Sequence, residues 1–353
     1  MEGPSETVFP AHKEVLLRFS LLFPLRIVVS RVPNPLAGFA RSQAKTLDNV
    51  IAEVSARWLT MSAGGPLHLM APDGKAEARI RFRCNICGVQ NELPPGEFAR
   101  EVPSCTGCRS TVRTRALMRM LARELLGADL RLPEFPVLKG IRGLGMSDSV
   151  DYAGWLNEKF DYRNTEYARE PRFDVLHPDE REFGLYDFIV CSEILEHVVA
   201  PVDIAFRNLF RLLKPNGVLL MTVPYRPEGA IQEHFGPMDD FGIARVGDRT
   251  VLVRRESDGS YSVRDNLVFH GGRGSTLEMR LFSEDGLKQL IATAGFSSVK
   301  IYTEDCRDFG ILNQKTWSLP LAAHTAPFAL SLDNLGMWSE QWMELRNRLR
   351  RIL

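Results

Sequence analysis

Tyr186-Asp187-Phe188-Ile189-Val190-Cys191-Ser192 runs into Glu193-Ile194-Leu195-Glu196-His197-Val198. Leu212-Leu213-Lys214-Pro215-Asn216-Gly217-Val218-Leu219-Leu220-Met221-Thr222-Val223-Pro224 follows after a helical stretch. The run from Tyr186 to Cys191 is almost continuously apolar, as a strand covered on both faces should be. Pro201 opens a helix, since proline is tolerated in a first turn. Its apolar positions Val202, Ala205, Phe206, Leu209, Leu212 and Leu213 keep the 3.6-residue period. Lys214-Pro215-Asn216-Gly217 stops that helix and turns the chain into Val218 to Val223, a second buried strand. Strand, helix and strand at this spacing form the repeating unit of a parallel sheet.

The same alternation extends outward. Val137 to Gly143 reads as a strand, Ser149 to Phe160 as a helix and Tyr162 to Tyr167 as a short strand. Further on, Ser283 to Ala294 reads as a helix and Ser298 to Thr303 as a strand. The fold class is therefore α/β, a doubly wound and mostly parallel sheet. Four parts follow from the pattern, with no internal repeat. Residues 1–80 form a mainly helical segment ending at the turn Ala71-Pro72-Asp73-Gly74. Residues 81–130 carry paired cysteines and a helix that stops at Gly127. Residues 131–310 hold the sheet, and residues 311–353 finish with a strand and an amphipathic helix from Met337 to Leu353.

The chain has 353 residues, 44 basic and 44 acidic, so its net charge is zero. Nothing at that level calls for a polyanionic partner, although a neutral total can hide a local patch. Val15 to Pro33 is apolar, but Arg18, Arg26 and Arg31 interrupt it and Pro24 breaks it, so it does not read as a membrane span. The first residues lack the basic stretch of a signal peptide. A cytoplasmic protein is expected.

Cys84-x-x-Cys87 and Cys105-x-x-Cys108 each present two thiolates from one tight turn. Two such turns face to face give the tetrahedral sulfur cage that zinc prefers. A redox dithiol and an iron–sulfur cluster are the competing readings. Four cysteine ligands leave no open position for a substrate, so the expected zinc is structural. Cys191 and Cys306 read as packed thiols. Arg115, Arg119 and Arg123 follow at i, i+4 and i+8 along one helical face. They read either as a phosphate-contacting ridge or as a solvated face paired with acids such as Glu124, and the lack of interleaved aromatics favours the second.

The run from Tyr186 to Val198, with its S-x-x-L-E-H, and the L-K-P-x-G run that follows resemble class I S-adenosylmethionine-dependent methyltransferases from near residue 137 to near 303. The resemblance implies a Rossmann-like fold with S-adenosylmethionine held beyond the carboxyl ends of the strands. It places Gly143 and Gly145 where missing side chains let the backbone approach the cofactor. The acid this family usually carries two residues before the first glycine is Ile141 here, and Asp148 is the candidate for the missing charge. Glu166 falls where the family binds the ribose hydroxyls, Asp174 where it meets the adenine amino group, and Glu193 on the cofactor side of the cleft.

Methyl transfer from a sulfonium is an in-line displacement that needs no metal, and an oxygen acceptor usually needs a base. Residues 226–281 are too long for a simple connection and read as an acceptor-binding insert, with a hairpin from Arg249 to Phe269 turning at Asp258-Gly259. His234, His270 and His197 are the base candidates, and Tyr225 is a candidate pocket wall. The segment from Phe269 to Arg280 resembles inserts of methyltransferases in glycan and natural-product pathways, which implies a small-molecule acceptor with a sugar or secondary-metabolite hydroxyl. The alternatives are an RNA methyltransferase docking through residues 81–130, read as a zinc ribbon plus helix, and a zinc-ribbon binding protein whose methyltransferase fold is inactive. The oligomeric state stays open.

Overall fold

The apolar run at residues 186–192 becomes the strand it promises, and its two faces explain the architecture. Phe188 and Val190 point into one core cluster while Ile189 and Cys191 point into another. Alternate residues of a strand face opposite ways, so a continuous apolar run needs cover on both sides. The computed structural model describes residues 79–238, 240–270 and 276–326, all within one of two compact units of the chain. The expected N-terminal segment up to residue 78 and the helix from Met337 to Leu353 lie outside the described residues.

Strands β1 (Ile80–Arg83) and β2 (Gln90–Leu93) pair antiparallel around the first cysteine pair. Helix α1 (Val112–Leu126) is capped by the Thr111 hydroxyl, which accepts from the Thr114 N–H, and it ends at Gly127 with φ 72°. That left-handed conformation suits glycine, as the expected stop requires. Next come β3 (Leu138–Met146), α2 (Val150–Lys159), β4 (Phe160–Thr165), β5 (Tyr186–Ser192), α3 (Asp203–Leu212) and β6 (Leu213–Thr222).

The insert contributes β7 (Tyr225–Arg226), β8 (Gln232–Glu233), β9 (Phe241–Val246), β10 (Arg249–Arg255), β11 (Tyr261–Arg264), β12 (Phe269–His270) and β13 (Thr276–Leu277). Then β14 (Arg280–Ser283), α4 (Glu284–Ala294), β15 (Ser298–Ile301) and β16 (Leu321–His324) complete the described chain.

The main sheet has the order β15-β16-β6-β5-β3-β4. Every pairing among β3, β4, β5 and β6 is parallel, while β16 runs antiparallel to both its neighbours. One face packs α1, α2 and the cysteine-bearing hairpin through Phe82, Leu117, Leu121, Tyr152 and Leu156. The other packs α3 and α4 through Phe206, Leu209, Leu287 and Ile291. Each such side chain contributes roughly 1.5–3 kcal/mol when fully buried. The order of strands reverses between β3 and β5, where an open α/β sheet leaves its ligand crevice.

Several expectations change. The helix expected to open at Pro201 starts at Asp203. The Lys214-Pro215-Asn216-Gly217 stop is absorbed into β6 as an irregularity, with Asn216 at φ 76° and the register shifting between the Tyr186–Leu213 and Phe188–Val218 pairs. The hairpin at Arg249 belongs to a three-stranded sheet, because β9 pairs with β10 as well. A sheet part ending at residue 310 would omit β16, which lies in the middle of the sheet. The segment 81–130 shares its core with one sheet face.

Candidate active site

The carboxyl ends of β4 and β5 gather most of the acids expected at a cofactor. Glu166 stands directly after β4, where its N–H donates to Pro171 O at 2.9 Å and its carbonyl accepts from Phe173 N at 2.9 Å. Those bonds fold the next turn back and bring Asp174 near. Asp174 Oδ1 accepts from Leu176 N at 2.9 Å, while Oδ2 lies 3.2 Å from His177 Nδ1.

Glu193 ends β5 in a left-handed conformation, φ 56°, and its two oxygens take Arg100 at 2.8 and 3.2 Å. Burial works against its charge, but Arg100 and then Arg113 outweigh burial and hold its carboxyl below the usual range. Arg113 Nη1 also donates to Ser192 Oγ at 2.6 Å. Neither Arg100 nor Arg113 was expected at the strand tip. The available signal was that Arg113 falls off the face shared by Arg115, Arg119 and Arg123.

The glycines also leave room for the core. A Cβ on Gly143 would run into the Phe188 ring, and one on Gly145 into the Tyr162 hydroxyl and the Asp148 carboxylate. Their missing side chains are thus filled from within the core. Asp148 is buried and accepts from Tyr152 OH at 2.8 Å and from Tyr162 OH. Burial raises its pKa to about 7 despite those two donors.

Past β5 the chain makes a short helical turn at Leu195–His197, and the insert is fastened to it. The guanidinium of Arg280, fully buried, donates to Leu195 O at 2.6 Å and Val198 O at 2.5 Å, and its Nε meets Glu233 Oε1 at 2.8 Å. Met279 N donates to Glu196 O at 2.8 Å. This clamp brings the three expected histidines together. His197 Nδ1 lies 2.8 Å from Leu277 O, His270 Nε2 lies 2.7 Å from Glu278 Oε2, and His234 Nε2 lies 2.8 Å from Glu278 Oε1.

The His197 and His270 rings meet edge to face at 4.9 Å. Burial lowers the His197 pKa, whereas the Glu278 hydrogen bond raises that of His270. Glu196 and Glu278 were missed by sequence reasoning, although Glu196 was visible inside L-E-H. Tyr225, the candidate pocket wall, stands in β7. It is buried, its hydroxyl accepts from Leu319 N at 3.3 Å, and burial pushes its pKa up to about 12.

The four expected cysteines converge, with Cys84 Sγ 3.8 Å from Cys108 Sγ and Cys87 Sγ 3.5 Å from Cys105 Sγ. None of the four forms a disulfide. Four sulfurs about 2.3 Å from a tetrahedral zinc stand about 3.8 Å apart, so the spacing suits that ion. The arginine row is paired with acids at Arg119 and Arg123, but it is not a solvated face. Arg115 is fully buried, with Nη2 2.9 Å from Ser104 Oγ and 2.8 Å from Gly310 O, and its guanidinium lies over the Phe82 ring. Arg119 and Arg123 both bind Asp129, at 2.9 and 2.7 Å. Glu124 turns instead to His324 Nε2 at 2.8 Å.

Among the described residues, no helix is long and apolar enough to cross a membrane. No curated protein matches the sequence. Solved structures give weak likenesses. A methyltransferase from Mesorhizobium loti described as S-adenosylmethionine-dependent is 12% identical, with 62% of this chain and 100% of that one covered at a TM-score of 0.37. The 1,6-didemethyltoxoflavin-N1-methyltransferase of Burkholderia thailandensis is 14% identical, covering 61% and 78% at 0.34. An amino pentose methyltransferase of Micromonospora echinaspora is 14% identical, covering 62% and 92% at 0.34. Likenesses at this level bear no argument about the acceptor. Residues 143–301 match the family model of a methyltransferase domain, and this span contains the strand tips and the histidine cluster together. Over those residues the chain is similar to a methyltransferase domain.

Proposed function

We propose that the enzyme methylates a hydroxyl of a small molecule, of the sugar or secondary-metabolite kind, with a histidine drawing off the hydroxyl proton. The observation that carries this reading is the convergence of His197, His234 and His270 with Glu196 and Glu278 directly past β5. An oxygen acceptor needs such a base far more than a thiolate does. His234 is the base in this reading. With Nε2 bound to Glu278, its Nδ1 is the nitrogen that takes a proton, and the carboxylate steadies the imidazolium that results.

The donor set suits a nucleoside at one end and an amino acid at the other. Glu166 accepts from the ribose hydroxyls, Asp174 through Oδ2 from the adenine amino group, and the cationic Arg113 meets the methionine carboxylate. Glu193 acts on the cofactor side by holding Arg100 in place. Asp148 lies below the methionine end. S-adenosylmethionine supplies a methyl group activated by its sulfonium when bound. The protein's own part is alignment of donor and acceptor, which can lower the barrier by about 7–11 kcal/mol.

Cys84, Cys87, Cys105 and Cys108 hold a structural zinc in this reading. The buried Arg115 cation beside three of these sulfurs offsets the negative charge of a tetrathiolate site.

Calorimetric titration with S-adenosylhomocysteine tests the cofactor half. Glu166→Ala and Asp174→Ala should each weaken binding about 10- to 100-fold, the effect of losing a hydrogen bond to a charged group. Unchanged affinity in both variants would overturn the assignment.

A further inference from the structure

Glu196 is the most anomalous side chain among the described residues. It is fully buried, and neither carboxylate oxygen has a hydrogen-bond partner. Buried carboxylates without partners are costly, so such a group calls for an explanation. Its Oε1 lies 3.6 Å from His197 Nε2 and 3.9 Å from His270 Nδ1, and the three atoms lie within 4.8 Å of one another.

The outer nitrogens decide what these inner ones present. Leu277 O can only accept, so His197 Nδ1 carries the hydrogen and the neutral ring turns the Nε2 lone pair toward Glu196. His270 Nε2 lies against the Glu278 carboxylate, and Nδ1 is the ring nitrogen turned toward Glu196. Two ring nitrogens and a carboxylate thus face one another. Imidazoles whose far nitrogen is fixed by a carbonyl or a carboxylate are the usual form of histidine metal ligands.

We propose that Glu196, His197 and His270 bind a divalent transition cation, in a second metal site separate from the cysteine cage. Ligand atoms about 2.1 Å from a tetrahedral ion stand about 3.4 Å apart, so the two histidine–glutamate spacings of 3.6 and 3.9 Å need to close by only a few tenths of an ångström. Two imidazoles and one carboxylate suit Mn2+, Fe2+, Co2+ or Zn2+ better than Mg2+, which prefers an all-oxygen shell. Three protein ligands leave positions open for an acceptor oxygen.

The catalytic role of the ion rests on the function proposed above. The cation holds the acceptor oxygen and lowers its pKa, and the proton passes to His234. The oxygen electron pair then forms the C–O bond as the methyl–sulfur bond breaks, and the sulfonium leaves as a neutral thioether.

Manganese is the probe of choice because a thiolate cage is a poor site for so hard an ion. The full chain, treated with chelator and then reloaded with one equivalent of zinc, is titrated with Mn2+ and the free-ion electron paramagnetic resonance signal is followed. One further equivalent should bind to the wild-type chain. Glu196→Gln should weaken that binding more than about 100-fold, and Glu278→Gln, which acts through His270, about 10- to 100-fold.

The site is ruled out if the wild-type chain binds no Mn2+, or if a folded Glu196→Gln variant binds it as tightly as wild type. If that variant does not fold, unchanged Mn2+ affinity in Glu278→Gln overturns the proposal. S-adenosylhomocysteine affinity, measured on the same samples without Mn2+, reports separately on the cofactor reading. Loss of Mn2+ binding with cofactor binding intact sinks only the metal site, and the converse sinks only the cofactor assignment.

Discussion

The cysteine cage and the histidine–glutamate cluster are both convergent candidate ligand sets, yet they are built in opposite ways. The cage draws its sulfurs from two short turns only 17 residues apart in sequence, and its outer wall is hydrophobic core shared with the sheet. The cluster joins a turn at residues 195–197 to strands some 80 residues later, and a buried arginine fastens the two. The first arrangement suits stability and the second suits chemistry, because only the cluster stands past the strand tips with part-exposed histidines.

That contrast breaks most easily at the cage. Stripping a structural zinc removes binding energy of about 10–16 kcal/mol at neutral pH. Chelator, or Cys105→Ser, should therefore lower the melting temperature of the whole described unit, read by circular dichroism. An unchanged melt would mean that the cage is not coupled to the sheet. Arg115→Met should come next, with a loss of about 3–5 kcal/mol in chemical denaturation, since it strands the buried groups that the guanidinium satisfies.

His234→Ala should do the reverse. The rate constant for methyl transfer should fall about 10²- to 10⁴-fold while stability stays within about 0.5 kcal/mol. A comparable loss of stability would place His234 with the structural group instead.

Asp148 sharpens the comparison from inside the sheet. Its pKa in the fold, about 7, lies above its ordinary value of 3.8, so the folded state binds more protons between those limits and stability falls as pH rises. The loss should be roughly 3 kcal/mol between pH 4 and pH 7. Asp148→Asn should flatten that slope in denaturation curves taken across the range.

What could be read from the residues follows the same division. Apolar runs such as Tyr186–Cys191 and the paired C-x-x-C turns are local signals, and both were legible. The partners of His234 and His270 were not, because Glu278 meets them only through the folding of the insert. Glu196 stood in view within L-E-H, but nothing in a linear pattern tells a buried, partnerless carboxylate from a solvated one. The packing role of the two glycines was hidden for a related reason: the space they free is taken by Phe188, Tyr162 and Asp148, from other elements. Strand β9 escaped because Phe241–Val246 is only partly covered and lacks a continuous apolar run.

The place of β16 has a consequence for synthesis of the chain. It slots between β6 and β15, so β15 finds its neighbour only after Leu321–His324 has left the ribosome. Until then a growing chain carries an open β6 margin that any stray strand could occupy. Nascent forms halted before residue 321 should for that reason be the ones that chaperones retain.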